Sequence, residues 1–146
     1  LHAWTSQPWK TQYWVREVMN RLYKNDIDGL GGNDDCGRMA AWYLFTAMRF
    51  YPVCPGTDQY VLGAPYLPYI RMNLPNGNTF EIKAPKVNDR NRYVRQAKLN
   101  GKVYDKMYIT HADLLAGGIL EFEMSASPNK KRGLAKEAKP YSMSEE

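Results

Sequence analysis

Apolar positions follow the period of an α-helix near the start of the chain. Four of them recur three or four residues apart: Val15, Val18, Met19 and Leu22. Proline is tolerated in the first turn of a helix, where Pro8 stands, and Ser6 is of a residue type that caps helices. The pattern therefore predicts a first helix that is capped by Ser6 and runs to about Tyr23.

A second apolar segment predicts a helix from about Asp35 to Arg49. Its apolar residues occupy nearly the whole helical circumference: Met39, Ala40, Ala41, Trp42, Leu44, Phe45, Ala47 and Met48. A helix of this kind is typically buried on all sides. Residues 24–32, between the two helices, have the Asn, Asp and Gly content of a loop.

Beyond Phe50 the apolar positions alternate, as they do in strands. Two pairs of the type Asn-Gly interrupt the alternating runs, at Asn76-Gly77 and at Asn100-Gly101. Because both residues of such a pair tolerate a positive φ, each pair predicts a β-hairpin. The predicted strands are residues 69–74 and 79–83 for the first hairpin and residues 93–99 and 102–104 for the second.

A capped turn and a further strand are predicted near the end of this region. Thr110 and Asp113 are spaced as in a capping box, in which the two residues bond each other's backbone. Three apolar residues then alternate along the predicted strand 119–124: Leu120, Phe122 and Met124. They would lie on one face of a sheet.

The predicted elements describe an α+β chain of three parts. Residues 1–56 are mainly helical, residues 57–130 form an antiparallel β element, and residues 131–146 form a basic tail. The tail has too little apolar material to order itself, so we expect it to be flexible.

Composition and charge narrow the class of protein. With 146 residues, 44% of them hydrophobic, the chain can bury one ordinary core. It has no run of about 18–20 apolar residues that would span a membrane. The net charge is +5, and the basic segment Lys83–Lys106 raises the hypothesis of a nucleic-acid-binding module. Because its charges alternate with apolar residues, the outer face of strands is the favoured interpretation.

An acidic cluster stands at the predicted start of the second helix: Asn33, Asp34 and Asp35. Backbone N–H groups and the positive end of the helix dipole favour ionised carboxylates there. An ionised Asp can act as a general base, and two of them can bind a hard cation such as calcium. The same residue types are the preferred helix caps, so a purely structural role stays open.

A second cluster, polar and aromatic, stands at the start of the first helix. Gln7, Trp9 and Lys10 belong to it. An aromatic ring can stack on a sugar while polar side chains bond its hydroxyl groups. The alternative is that the aromatic residues pack inward, as buried aromatic residues usually do.

The most distinctive feature of the chain is a set of three longer segments. They read QPWKTQYWVREVMNRLY, DGLGGNDDCGRMAAWYLFTAMRFYPVCPGTDQYVLGAPY and LNGKVYDKMYITHADLLAGGILEFEM. Together they resemble the C-terminal part of glycoside hydrolase family 92, over about residues 4–130. The resemblance implies the last two helices of an (α/α)6 barrel followed by an antiparallel β-sandwich element.

The resemblance also implies an activity. Members of the family are calcium-dependent exo-acting α-mannosidases that hydrolyse terminal α-mannosyl residues with inversion, and many come from bacteria that consume glycans. A periplasmic, secreted or cell-surface location is expected, with an α-1,2 bond as the expected substrate bond. The partners would be a mannose-containing glycan and the rest of the parent polypeptide, and not nucleic acid.

Roles for single residues follow from the same resemblance. By position Asp35 would be the general base, and Asp34 and Asn33 would orient it or its water. Residues expected to contact substrate are Asn33, Gln7, Trp9 and Lys10. The general acid and most of the calcium ligands would lie outside this chain, which would then be inactive alone. One departure is Ser6, where the family usually has glycine.

Two other functions stay open on the sequence. One is a freestanding, non-catalytic carbohydrate-binding β module, which would bind mannose without turnover. The other is the basic nucleic-acid module, whose retention of RNA or DNA would depend steeply on salt.

Overall fold

The computed structural model describes residues 3–54 and 56–143. Two helices come first, α1 (Pro8–Leu22) and α2 (Arg38–Met48). The strands are β1 (Phe50–Tyr51), β2 (Gln59–Leu62), β3 (Tyr69–Asn73), β4 (Thr79–Lys83), β5 (Tyr93–Leu99), β6 (Lys102–Val103), β7 (Tyr108–Thr110) and β8 (Gly118–Ser125). A short helix α3 (His111–Leu115) lies between β7 and β8, and one 3-10 turn covers Lys136–Ala138.

Both long helices are close to their predicted positions, but their starts differ. Pro8 is in the first turn of α1, and the residue before it is Gln7, whose side chain makes no capping bond. Ser6, the predicted cap, has a φ of 59° and lies outside the helix. The second helix begins three residues later than predicted, because Asp35 and Cys36 also have positive φ angles, of 49° and 59°. A right-handed helix does not accommodate such angles.

The end of the first helix meets the second helix. Tyr23, just after α1, stacks on Trp42 of α2 with ring centroids 5.5 Å apart, and its hydroxyl donates to the Met39 carbonyl at 3.2 Å. The end of α1 therefore lies against the first half of α2. None of the described helices is long and apolar enough to cross a bilayer.

The prediction that α2 is buried on all sides is wrong for this chain. Ala47 is its one buried residue, and the Leu44 side chain is 60% exposed. The apolar circumference of α2 is covered on one side by α1 and the sheets. Among the described residues, no element covers the other side.

The strands form two sheets. The first has the order β1-β2-β7 and is antiparallel. The second has the order β3-β4-β8-β5-β6. Its β4 and β8 pair in parallel, with Phe80 opposite Gly118, so this sheet is mixed and not wholly antiparallel as predicted. The parallel pair arises because the chain crosses through β5, β7 and α3 before it returns beside β4.

The predicted hairpins and the capping box are present. The turn between β3 and β4 has Gly77 at a φ of 84°, and the turn between β5 and β6 has Asn100 and Gly101 at 50° and 79°. At the start of α3, the Asp113 N–H donates to the Thr110 hydroxyl at 3.1 Å. Local sequence thus determined the turns and the register that they set.

One core lies between the two sheets. The first sheet contributes buried Phe50, Leu62 and Ile109 to it. From the second come Phe80, Ile82, Val94, Ala97, Leu120, Phe122 and Met124. The sheets therefore pack as a sandwich, and the three apolar residues predicted on one face of β8 all point into it. The β1 strand, which precedes the predicted division at residue 56, belongs to this sandwich, and that division stays a prediction.

Polar contacts attach α1 to the sandwich. The buried Gln12 side chain accepts a hydrogen bond from the Val94 N–H at 3.0 Å. Glu17 pairs with Arg92 at 2.8 Å, and this bond lowers the pKa of the Glu17 carboxyl. The buried Arg16 donates to the Pro65 carbonyl. These contacts fix the orientation of the helices relative to the sheets.

Residues 131–143 pack against the sandwich, which differs from the predicted flexible tail. The Ala138 carbonyl accepts from the Met107 N–H at 2.7 Å. The Arg132 guanidinium is buried and donates to the Tyr104 and Lys106 carbonyls at 3.1 and 3.3 Å. Hydrogen bonds to backbone and the burial of Ala138 hold this segment, and its mainly polar composition did not reveal the contact. Residues 144–146 lie outside the described part.

Ile82→Ala tests the position of the core. Ile82 is fully buried, and its truncation leaves a cavity, so the free energy of unfolding should fall by about 2–5 kcal/mol. Ile27 is fully exposed, so Ile27→Ala should change the free energy of unfolding by about 0.5 kcal/mol or less. Urea denaturation of the two variants makes the comparison. Equal losses would contradict the assignment of the core.

Candidate functional site

The acidic cluster forms the loop that leads into α2. Gly37 is the N-cap residue of the helix, and Asp34, three residues earlier, bonds N–H groups of its first turn. Its Oδ1 accepts from the Ala40 N–H at 2.9 Å, and its carbonyl accepts from the Met39 N–H at 3.1 Å. These are two of the N–H groups that a helix start leaves without helical partners. The Asp34 carboxylate is therefore occupied by a structural bond.

Asp35 is held differently. Its backbone is left-handed, its carbonyl accepts from the Arg38 N–H at 3.3 Å, and the residue is exposed. Its carboxylate forms no hydrogen bond or ion pair with any described residue. One carboxylate of the pair thus caps the helix while the neighbouring one is free to bind water or a ligand near the positive end of the helix dipole.

A surface cleft lies beside this loop. It has a volume of about 590 Å³ and is lined by three tyrosines, Tyr23, Tyr43 and Tyr66, and by Ala40, whose N–H binds Asp34. Burial raises the pKa of the Tyr23 hydroxyl, and the Asp34 charge raises it further. Burial and Tyr66 likewise raise the pKa of Tyr43. The Tyr23 hydroxyl donates its proton to the Met39 carbonyl, and that of Tyr66 donates to Asn20 Oδ1, so the Tyr43 hydroxyl is the one of the three that makes no hydrogen bond to a described residue.

Sequence reasoning missed these tyrosines. They come from the end of α1, from α2 and from the segment that precedes β3, so no short motif contains them. The only sequence signal was a high tyrosine content, 11 residues in the chain. Aromatic rings with protonated hydroxyls are suited to binding a polar ligand with an apolar face, as a sugar has.

The polar and aromatic cluster at the start of α1 lies elsewhere. Trp9 is half-buried, with Lys10 Nζ and Lys130 Nζ at 5.4 and 5.6 Å from its ring centroid. About 20 Å of helix separates Trp9 from Tyr23 at the other end of α1. The structure therefore does not bring Gln7, Trp9 and Lys10 into one site with Asn33, Asp34 and Asp35.

Calcium has no complete ligand set among the described residues. They contain no group of three His, Cys, Asp or Glu side chains that is placed to hold a metal ion. One carboxylate oxygen of Asp34 already accepts a hydrogen bond from the Ala40 N–H. Calcium takes six to eight oxygen ligands, so the acidic loop by itself does not fit the ion.

Comparisons with known proteins agree on one family. Residues 1–126 match the family described as the catalytic domain of glycosyl hydrolase family 92. An uncharacterized secreted glycosidase of Arthroderma benhamiae is 30% identical over 105 residues, which are 70% of this chain and 14% of that protein.

Solved structures agree with this result. A family GH92 α-mannosidase of Bacteroides thetaiotaomicron, in complex with mannoimidazole, is 42% identical with a TM-score of 0.93 over 97% of this chain. An inverting GH92 mannosidase of the same organism is 42% identical, with a TM-score of 0.89 over 94% of the chain. The GH92 hydrolase ccman5, at 22% identity and a TM-score of 0.92, shares the fold. These comparisons confirm the α+β fold class.

The chain is much shorter than these relatives. It spans 19% of the length of each Bacteroides mannosidase and 23% of ccman5.

Substitution of Asp34 should destabilise the chain more than substitution of Asp35. Asp34→Ala loses the bond to the Ala40 N–H and should lower the free energy of unfolding by about 1 kcal/mol. Asp35→Gly removes an unbonded carboxylate and suits the left-handed backbone, so the loss should be smaller. Denaturant titrations of both variants provide the test. A larger loss at Asp35 would mean that the roles of the two residues are reversed.

Proposed function

The chain belongs to glycosyl hydrolase family 92, and from this premise we propose that it is the C-terminal part of an enzyme that hydrolyses terminal α-mannosyl residues of glycans with inversion. Two relatives of solved structure are named as mannosidases, and one of them as inverting. The observation that carries the proposal for this chain is that the acidic loop bonds the Asp34 carboxylate to the helix and leaves the exposed Asp35 carboxylate without a bond to any described residue.

Asp35 is the proposed general base. Inversion requires one carboxylic acid that protonates the leaving oxygen and one carboxylate that takes a proton from water on the opposite face of the sugar. The Asp35 carboxylate would accept the water proton as the new bond to the anomeric carbon forms and the glycosidic bond breaks. The acid would come from the polypeptide outside this chain, about 6.5–9.5 Å from Asp35.

The neighbours of Asp35 have supporting roles in this proposal. Asp34 holds the loop on α2, and Asn33, an exposed amide next to it, would bind the substrate or the water. Gln7, Trp9 and Lys10 stay candidates for substrate contact, at sugars away from the bond that is cleaved. Their distance along α1 from the acidic loop is the reason for this placement.

The proposal also covers the calcium ligands, the cellular location and the glycosidic bond that is cleaved. We place most of the calcium ligands outside this chain, since the described residues lack a complete set. A periplasmic, secreted or cell-surface location in a bacterium is proposed by family, and one relative is named as secreted. The α-1,2 bond is the proposed substrate bond.

A non-catalytic carbohydrate-binding role is the second candidate. The cleft with Tyr23, Tyr43 and Tyr66 favours it, because aromatic rings and a hydroxyl such as that of Tyr43 bind sugars without any acid or base.

The chain alone should have no mannosidase activity, even with calcium. It carries a candidate base without the acid, and removing either group typically lowers the rate by roughly 10²–10⁴-fold. Release of mannose from a mannobiose by the purified chain provides the assay, with mannose binding measured in parallel. Turnover near that of full-length relatives would refute the proposal that the general acid lies outside this chain. Tight mannose binding without turnover would favour the non-catalytic binding module.

Asp35→Asn in the full-length enzyme tests the general base. An amide cannot accept the proton from water, while Asn tolerates the left-handed backbone at this position, where φ is 49°. Turnover at saturating calcium should therefore fall by roughly 10²–10⁴-fold with little change in melting temperature.

Asp34→Asn is the matched control for this experiment. Asn caps a helix about as well as Asp, so this variant should keep most of its turnover and stability. If Asp35→Asn retains turnover and Asp34→Asn loses it, the base is Asp34.

A further inference from the structure

The β3 strand forms an open edge of the second sheet. It pairs with β4 on one side, and none of the described strands lies on its other side. It runs from Tyr69 to Asn73, pairs with β4 residue by residue and contains no proline. The outward N–H and C=O groups of such an edge strand can hydrogen-bond another strand.

The hydrogen bonds to β4 show which backbone groups face this open edge. In an antiparallel pair, residues that bond the partner strand alternate with residues whose N–H and C=O groups point away from it. At one end of the pairing the Leu74 N–H donates to the Asn78 carbonyl at 2.9 Å, and the bond at the other end has the same parity. The residues of β3 that direct their backbone groups outward are therefore Tyr69, Arg71 and Asn73. No described residue bonds those groups.

The other edges of the two sheets are shorter. The opposite edge of the second sheet is β6, which has two residues, one of them Lys102, and a short charged edge strand discourages pairing. In the first sheet, β1 also has two residues, and β7 follows Met107, whose N–H already bonds Ala138. Among the described strands, β3 is therefore the edge best suited to accept another strand.

The inward side chains of β3 indicate one property of a matching strand. Ile70 and Met72 pack against the core of the sandwich, but both stay partly exposed at its margin. A further strand beside β3 would continue the sheet past this margin. Apolar residues on the inward face of that strand would cover Ile70 and Met72.

The outward side chains indicate a second property. Arg71 is exposed, and its guanidinium forms no ion pair with a described residue. Glu81 lies opposite it on β4 but pairs with Lys83 at 3.1 Å. Opposite charges on adjacent strands stabilise a sheet, so an Asp or Glu of the added strand would lie opposite Arg71.

A second copy of this chain matches the edge less well. Two β3 strands related by a two-fold axis would use all their outward groups if the axis passed beside Arg71. The two arginines would then lie directly opposite each other, and like charges in that position are destabilising. A segment outside this chain has no such constraint. The chain spans only 19% of the length of each Bacteroides mannosidase, so a parent polypeptide of that length would have many such segments.

We propose that the β3 edge binds an extended segment of the longer polypeptide to which this chain belongs, and that this segment adds a strand to the second sheet. Its apolar residues face the core margin at Ile70 and Met72, and an acidic residue lies opposite Arg71. The proposal rests on the proposed function only in that the chain is part of a longer polypeptide. Its tests measure amide exchange and melting temperature and not turnover, so it can fail while the proposed reaction holds.

Amide hydrogen exchange, resolved to single residues, tests the pairing. In the 146-residue chain, the Ile70 and Met72 amides should exchange slowly and the Arg71 amide quickly, because only the first two bond β4. In the longer polypeptide the Arg71 amide should exchange at least about tenfold more slowly, because it gains a hydrogen bond to the added strand. An equal exchange rate of the Arg71 amide in the two proteins would overturn the inference.

Proline substitutions in β3 provide a second test. Arg71→Pro removes an outward N–H and keeps the bonds to β4, so it should lower the melting temperature of the longer polypeptide by several degrees more than that of the chain. Met72→Pro is the matched control, because it removes an N–H that bonds β4 and should destabilise both proteins. Equal effects of Arg71→Pro on the two proteins would contradict the proposal. If Arg71→Pro does not fold, the exchange measurement decides, since it needs no variant.

The concentration of the chain distinguishes a second copy from the longer polypeptide. Exchange at the Arg71 amide of the isolated chain should not depend on chain concentration. If this amide becomes protected as the chain dimerises, which sedimentation velocity would detect, the edge binds a second copy and the inference is overturned.

Discussion

The burial of β1 in the sandwich core is the constraint on which the position of the acidic loop depends. Phe50 is 4% exposed, and it follows α2 after a single residue, Arg49. Anchoring Phe50 between the two sheets therefore fixes the end of α2. The bonds of α1 to the sandwich, through Gln12 and Glu17, fix the other helix of the pair. The loop between the two helices is then presented at a defined place, although the loop itself is exposed.

Two adjacent carboxylates, those of Asp34 and Asp35, lie in the loop before the start of α2. A single side chain is enough to bond the free N–H groups, and Asp34 provides it. Asp35 has a left-handed backbone, and its carboxylate takes no part in the bonds at the helix start. A base needs an ionised group that is held in place but not already used as an acceptor. Of the two carboxylates, that of Asp35 meets the second condition, because it accepts no hydrogen bond from a described residue.

Three buried arginines also contribute to the packing of this fold. Arg132 holds the last segment on the sandwich by donating to two backbone carbonyls, and burial lowers its pKa to about 10. Arg16 bonds the Pro65 carbonyl and pairs with Asp89. Burial also lowers the pKa of Arg49, and the positive charges of Arg132 and Arg16 lower it further. All three guanidinium groups therefore bond backbone carbonyls, and Arg16 and Arg132 also have an aspartate nearby.

Local sequence determined much of this structure. Period and turn chemistry placed α1, both hairpins, the capping box at Thr110 and the inward face of β8, because each depends on residues only a few positions apart. The three-segment resemblance identified the family, because it drew on nearly the whole chain, while the role that it implies for Asp35 stays a prediction. The parallel pairing of β4 with β8, the meeting of Tyr23, Tyr43 and Tyr66, and the packing of Arg132 were decided only by tertiary structure. Each joins residues that are far apart in the chain, so no local pattern contains them.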